Sequence, residues 1–168
     1  MTQAPTLPCA PLTPEFIAMV NRGVSTVVAS RDAAMRPSLM RAMGSSISMD
    51  GTRITVFVAR SQGRQLLLDV ASTGQIAVVF SDPGSHRTLQ VKAGAVDLRN
   101  ADAGDTALLR RYLLAMEREI CAIGYPVNVV DAMLACRLDD LVAISFTPAA
   151  AFDQTPGPRA GSALAATN

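Results

Sequence analysis

"VFVARSQGRQLLLDVASTGQIAVVFSDP", Val56–Pro83, changes its period twice. Ile54, Val56 and Val58 alternate with their neighbours, the two-residue repeat of a strand over Arg53–Ala59. From Ser61 to Gly74 the repeat lengthens: Leu67, Val70 and Ala71 form a helical stripe and Gly74 is a C-terminal stop. "QIAVVFSDP" then returns to strand. Between the first strand and the helix lies "RSQGRQ", Arg60–Gln65. Ser61 is a candidate N-cap, and Gly63 permits close approach of another chain segment. The first helical turn leaves free N–H groups at the positive end of the helix dipole. Arg64 stands in that turn, where a cation opposes the dipole. A bound anion would resolve the conflict; the alternative is ordinary capping by Ser61 with Arg64 in solvent. The stretch lacks the Gly-Lys-Ser/Thr end of a P-loop.

Working outward, Thr13-Pro14-Glu15 opens a helix that Gly23 stops. "VSTVVAS", Val24–Ser30, is a β-branched strand, and "RDAAMRP" a turn pivoting on Asp32. "SLMRAMGSSISM", Ser38–Met49, reads as a second strand ending in the hairpin signal Asp50-Gly51. Beyond the central stretch, "HRTLQVKAGAVDL" is a fifth strand with Gly94 as a bulge. Two helices follow, a long one over 101–124 and a short one over 126–137, and "DDLVAISFTP" is a sixth strand. Six short strands, adjacent in sequence and hairpin-linked, predict a mainly β, α+β fold: an antiparallel sheet curled into a small closed or half-open barrel with flanking helices.

The 168 residues suit one domain, placed at 13–150, with a flexible segment over 1–12 and a C-terminal arm over 151–168. At 49% hydrophobic and 17% charged, the chain is too apolar to be disordered, and its apolar excess points to an oligomer. A net charge of +1 and 4% aromatic content give no nucleic-acid-binding signature. Cys9, Cys121 and Cys136 are scattered and His86 is the one histidine, so neither a Cys/His metal site nor a Ser-His-Asp triad is expected. An odd cysteine count without a framework fits a reducing cytoplasm. Cys121 and Cys136 fall in apolar helical stretches and are expected in the core. "MTQAPTLPCAP" has neither the basic start nor the apolar centre of a signal peptide, and no apolar run approaches the roughly 20 residues that span a bilayer.

Arg41 stands in the apolar "SLMRAMG": either an outward, solvated arginine or one aimed at a phosphate or carboxylate. Thr88, Gln90 and Lys92 alternate onto one face of the fifth strand, as a polar outer face or a strip meeting a ligand's edge. The tail "AFDQTPGPRAG", Ala151–Gly161, has Phe152 as a possible anchor and Pro156 and Pro158 to stiffen it. It is expected to be ordered to about Gly161 and disordered beyond.

Taken together, the strand with Pro37 and Arg41, the block Val56–Pro83, and "HRTLQVKAGAVDL" resemble the pyridoxamine 5′-phosphate oxidase-related, FMN-binding split β-barrel family. The likeness runs from about Pro14 to Gly161. The ending "FTPAAAFDQTPGPRAG" is similar to an uncharacterised branch. The resemblance implies a six-stranded Greek-key split barrel, a homodimer, and two FMN sites at the subunit interface. It implies that Arg41, with Ser61, Arg64 and Gln65, holds the FMN phosphate, and that Gln90 approaches the flavin ring. Gln154 and Arg159 become candidates to touch flavin or an anionic substrate. The lysine the family places beside Arg64 is absent, as is the terminal Arg-x-His of true pyridoxamine phosphate oxidases, so an oxidoreductase of unidentified small-molecule substrate is implied. No residue stands out as a catalytic acid or base. Deazaflavin and haem, the latter through His86, are the alternative cofactors.

Overall fold

The computed structural model describes residues 12–164. The flexible segment expected over 1–12 lies outside them except for Leu12, which is buried. Helix α1 (Pro14–Asn21) starts as its sequence dictates: the Thr13 side chain accepts from the Phe16 N–H and Pro14 takes the first helical position. Strands β1 (Ser25–Arg31) and β2 (Pro37–Arg41) follow, joined by the turn in which Asp32 accepts from the N–H groups of Ala34 and Arg36.

The stretch expected as one strand over Ser38–Met49 is two, β2 and β3 (Gly44–Ile47). They meet at a corner where Ala42 N–H donates to Thr26 and Met43 N–H to Phe57, bonds that reach two different sheets. β4 (Ile54–Ala59), α2 (Arg64–Thr73), β5 (Ile76–Ser81) and β6 (Thr88–Ala93) come next. The expected fifth strand also divides, at Gly94, into β6 and β7 (Asp97–Asn100). Helices α3 (Thr106–Ala122) and α4 (Val127–Leu134) lead to β8 (Leu141–Phe146), and the arm supplies β9 (Ala150–Asp153) and β10 (Ser162–Ala163).

The result is mixed α+β, with two wholly antiparallel sheets rather than one row of six strands: β10-β9-β6-β5-β1-β2 and β3-β4-β8-β7. Their facing sides enclose the main core, where Val28, Val78 and Val91 meet Val56, Val58 and Ile144, with α1 at one end and Leu66 and Val70 of α2 at another. A second cluster packs α3 and α4 on the other side of the four-stranded sheet, around Phe57, Tyr112, Met116 and Leu141. β8 is therefore buried on both faces along its whole length, which accounts for its unbroken apolar run. The six-stranded sheet alternates buried and half-exposed along β1, β5 and β6, so its outer face stays open.

The long helix buries Tyr112, Ala115 and Met116, which leaves Cys121 on the exposed side. Cys136, past the end of α4, is exposed as well, so neither cysteine is in the core. The arm is anchored by Ala151 and not by Phe152. Ala151 is buried against the core, Leu164 packs there too, and Phe152 faces outward.

At the entry to α3, Asp105 accepts two 2.7 Å bonds from the Arg99 guanidinium and one from Asp102 N–H. The bond to Arg99 holds its carboxyl below the usual carboxylate range. A depressed native value means the stabilisation is full above the unfolded value, about 3.9, and is lost as pH falls through the lower native one. Asp105→Asn is expected to be less stable than the parent by about 1 kcal/mol at pH 7, with the gap closing as pH falls below about 4. Urea unfolding at several pH values measures this; a gap that persists in acid would rule out the Arg99 pair as its source.

Candidate functional site

Cross-strand register assembles the site. Arg41 on β2 stands opposite Val27 on β1, Val27 opposite Val79 on β5, Val79 opposite Gln90 on β6, and Gln90 opposite Phe152 on β9. Directly paired residues point to the same side of a sheet, so these five form one row on the open outer face. At about 4.8 Å per strand, Arg41 and Gln90 are about 14 Å apart, with two half-buried valines as the floor between them. The next row carries Leu39, Ala29, Ala77 and Lys92. The middle of the face is therefore low, and its rims are tall.

The rims are polar. Arg41 Nη1 donates to the Ser25 hydroxyl at 3.1 Å, and among the described residues the guanidinium has no carboxylate within ion-pair reach. At the other rim, Gln154 Nε2 lies 3.4 Å from Gln90 Oε1, and Lys92 Nζ sits 5.1 Å from the centre of the Phe152 ring. The arm is fastened beside β6 by Gln154 N–H to Thr88 C=O, and by Thr88 N–H to the Thr155 hydroxyl. The ionisable residues among the strand positions of this face are Arg31, Arg41 and Lys92; none is a carboxylate.

The β4–α2 turn lies on the other side of β2. Met40, whose side chain points opposite to that of Arg41, packs on Gly63. The N-cap of α2 is Gly63, with no side-chain cap, and not Ser61. Ser61 is instead held by Asp140: its N–H donates to Oδ1 at 3.0 Å and its hydroxyl donates to Oδ2. Ser61 and Arg64 line a groove of about 510 Å³ with Arg60, Leu67, Leu68 and Asp140. Gln65 does not line that groove: its Nε2 donates to Asp69 at 2.8 Å, and Asp69, buried, also accepts from the Ser38 hydroxyl at 2.6 Å. Of the expected stripe Leu67, Val70 and Ala71, only Val70 is fully buried; Leu66 and Asp69 are buried with it, Leu67 is half-buried and Ala71 is exposed.

The structure thus brings Arg41, Gln90 and Gln154 onto one face and keeps Ser61 with Arg64 in a separate groove. Arg159 is exposed in the turn between β9 and β10, where its charge helps hold the Asp153 carboxyl low after the Thr155 hydrogen bonds. His86 is exposed in the β5–β6 turn at φ 60°, off the row. Sequence reasoning missed Ser25, Asp140 and Asp69, whose importance lies in partners 16 to 79 residues away.

The same architecture occurs in solved structures. A candidate pyridoxamine 5′-phosphate oxidase from Lactobacillus delbrueckii matches over 84% of this chain and 93% of its own, at 14% identity and a TM-score of 0.53. A pyridoxamine 5′-phosphate oxidase-related, FMN-binding protein from Nostoc punctiforme covers 91% and 89%, at 10% identity and 0.51. An F420 reductase covers 80% and 93%, at 16% identity and 0.53. Neither a family model nor a curated protein matches the chain. The fold is that of the pyridoxamine 5′-phosphate oxidase-related, FMN-binding proteins.

Proposed function

We propose that the protein is a homodimeric split-barrel flavoprotein that binds FMN on the outer face of its six-stranded sheet and acts as an oxidoreductase on a small molecule. The observation that carries this reading is the row from Arg41 to Gln90. A guanidinium without a carboxylate partner suits a phosphate. The Val27–Val79 floor suits a flat apolar ring, and the Gln90 and Gln154 amides offer donors and acceptors to a ring edge. The solved structures of the same fold include an FMN-binding protein, which supports the same cofactor class.

When bound, the flavin would supply electron transfer as hydride or single-electron steps. This chain's residues would bind and orient it: Arg41 at the phosphate and Gln90 and Gln154 at the ring, with Arg64 a second cation in the groove where Asp140 already takes both Ser61 donors. Arg159 would face incoming anions from the arm. With the outer face open along the sheet, a second copy covering it would exclude water from the ring.

A second reading, a non-catalytic flavin or haem binder, draws on the same face: among the described residues its strand positions offer cations and amides but no carboxylate, imidazole or thiol to move a proton. The testing experiment is the absorption spectrum of the protein after incubation with FMN and desalting, with deazaflavin and haem in parallel. A retained flavin spectrum is the expected result, and a colourless protein would overturn the proposal. Tight FMN retention with no substrate-dependent flavin reduction across a panel of small molecules would favour the binder.

A further inference from the structure

Two depressions meet on α3, away from the sheet face. The first, about 410 Å³, lies between α3, α4 and the start of β8, and is lined by Met43, Leu109, Leu113, Leu134, Leu138 and Leu141. That volume is in the range of small-molecule sites, which start near roughly 300 Å³. The second, about 630 Å³, adjoins it: Thr106 and Arg110 line both. Its wall is a helical stripe, Ala107, Arg111, Leu114 and Arg118, with Arg110 beside it.

Among the described residues none of Arg110, Arg111 and Arg118 forms an ion pair, and no carboxylate lines the second depression. Asp131 on α4 is the one carboxylate lining the first, and it is not paired with Arg110. Arg110, Arg111 and Arg118 line one depression, and their like charges favour a shared anion there. Leu114, 46% exposed, sits among them and carries apolar surface into the second depression.

We infer that this pair of depressions binds an amphiphilic anion, an apolar chain carrying a phosphate-type head. The chain lies among Leu109, Leu113, Leu134 and Leu141, and the head lies on Arg110, Arg111 and Arg118. A neutral apolar molecule would leave the arginines unpaired, and a bare phosphate would leave the leucine pocket wet.

The test is calorimetric titration with decyl phosphate below its micelle concentration, beside decanol and inorganic phosphate. Decyl phosphate is expected to bind at least about tenfold more tightly than either. R110Q/R111Q/R118Q should reduce it to the level of decanol; glutamine is a good helix former, so α3 is retained. Leu113→Gln should reduce it to the level of phosphate. A second readout is the alkylation rate of Cys136, which lines the first depression. Decyl phosphate should slow it in the parent and not in the triple variant. Co-sedimentation with phosphatidic acid vesicles, against phosphatidylcholine vesicles, separates a membrane source of the head group from a free one. No binding of decyl phosphate, binding no tighter than that of inorganic phosphate, or binding unchanged in the triple variant would overturn the inference.

Discussion

Arg41→Ala is expected to weaken FMN binding about 10- to 100-fold while leaving the fold intact. A hydrogen bond to a charged group contributes about 1.5–3 kcal/mol, and about 1.4 kcal/mol is a factor of ten in affinity. The loss to the fold is small because Arg41 ends an edge strand, and among the described residues its side chain is hydrogen-bonded only to the Ser25 hydroxyl. Riboflavin, which has the ring but no phosphate, should bind parent and variant equally. Flavin fluorescence titrations with both ligands read the effect. Equal FMN affinity in the two proteins would remove Arg41 from the phosphate site and leave the Ser61–Arg64 groove as the anchor, which Arg64→Ala would then report.

Gly63→Ala is expected to destabilise the fold through a single added methyl group. A Cβ at residue 63 would meet Met40 Sδ, Val58 Cγ1 at 2.8 Å and the Ala59 carbonyl oxygen at 3.2 Å. Met40 can swing away, but Val58 is fully buried and the carbonyl is backbone. Overpacking of this kind costs about 1–3 kcal/mol, or roughly 2–4 °C in Tm per kcal/mol for a chain of this size. Met40→Ala in the same chain should recover part of the loss, a coupling that a double-mutant cycle measures. An unchanged Tm in Gly63→Ala would mean that α2 is not seated by this contact.

What could be read from the sequence was local. The period change in Val56–Pro83 located β4, α2 and β5 because each repeat is set by residues within one or two turns. Gly74 closes α2 at φ 67°, the left-handed conformation glycine adopts freely. The alternation of Thr88, Gln90 and Lys92 showed which side chains share a face. What could not be read was relational. No proline or turn dipeptide in "SLMRAMGSSISM" marks the corner at Ala42–Met43, where the hydrogen-bond partners change from one sheet to the other. Ser61 looked like an N-cap until Asp140, 79 residues on, claimed its hydroxyl. The row from Arg41 to Phe152 depends on four pairing registers, and a one-residue slip in any of them would send part of it to the other face. Cys121 shares an apolar helix with Tyr112 and Met116, but that helix buries only the stripe against the four-stranded sheet.

The corner also has a mechanical meaning. Arg41 belongs to the outer row, and Met43, two residues on, lines the apolar depression beneath α3 and α4. The peptide planes between them are stiff, and each is clamped to a different sheet, Ala42 to β1 and Met43 to β4. A substitution that shifts the backbone at Ala42 would therefore be felt on both sides of the molecule, at Arg41 on the outer face and at Met43 under the helices.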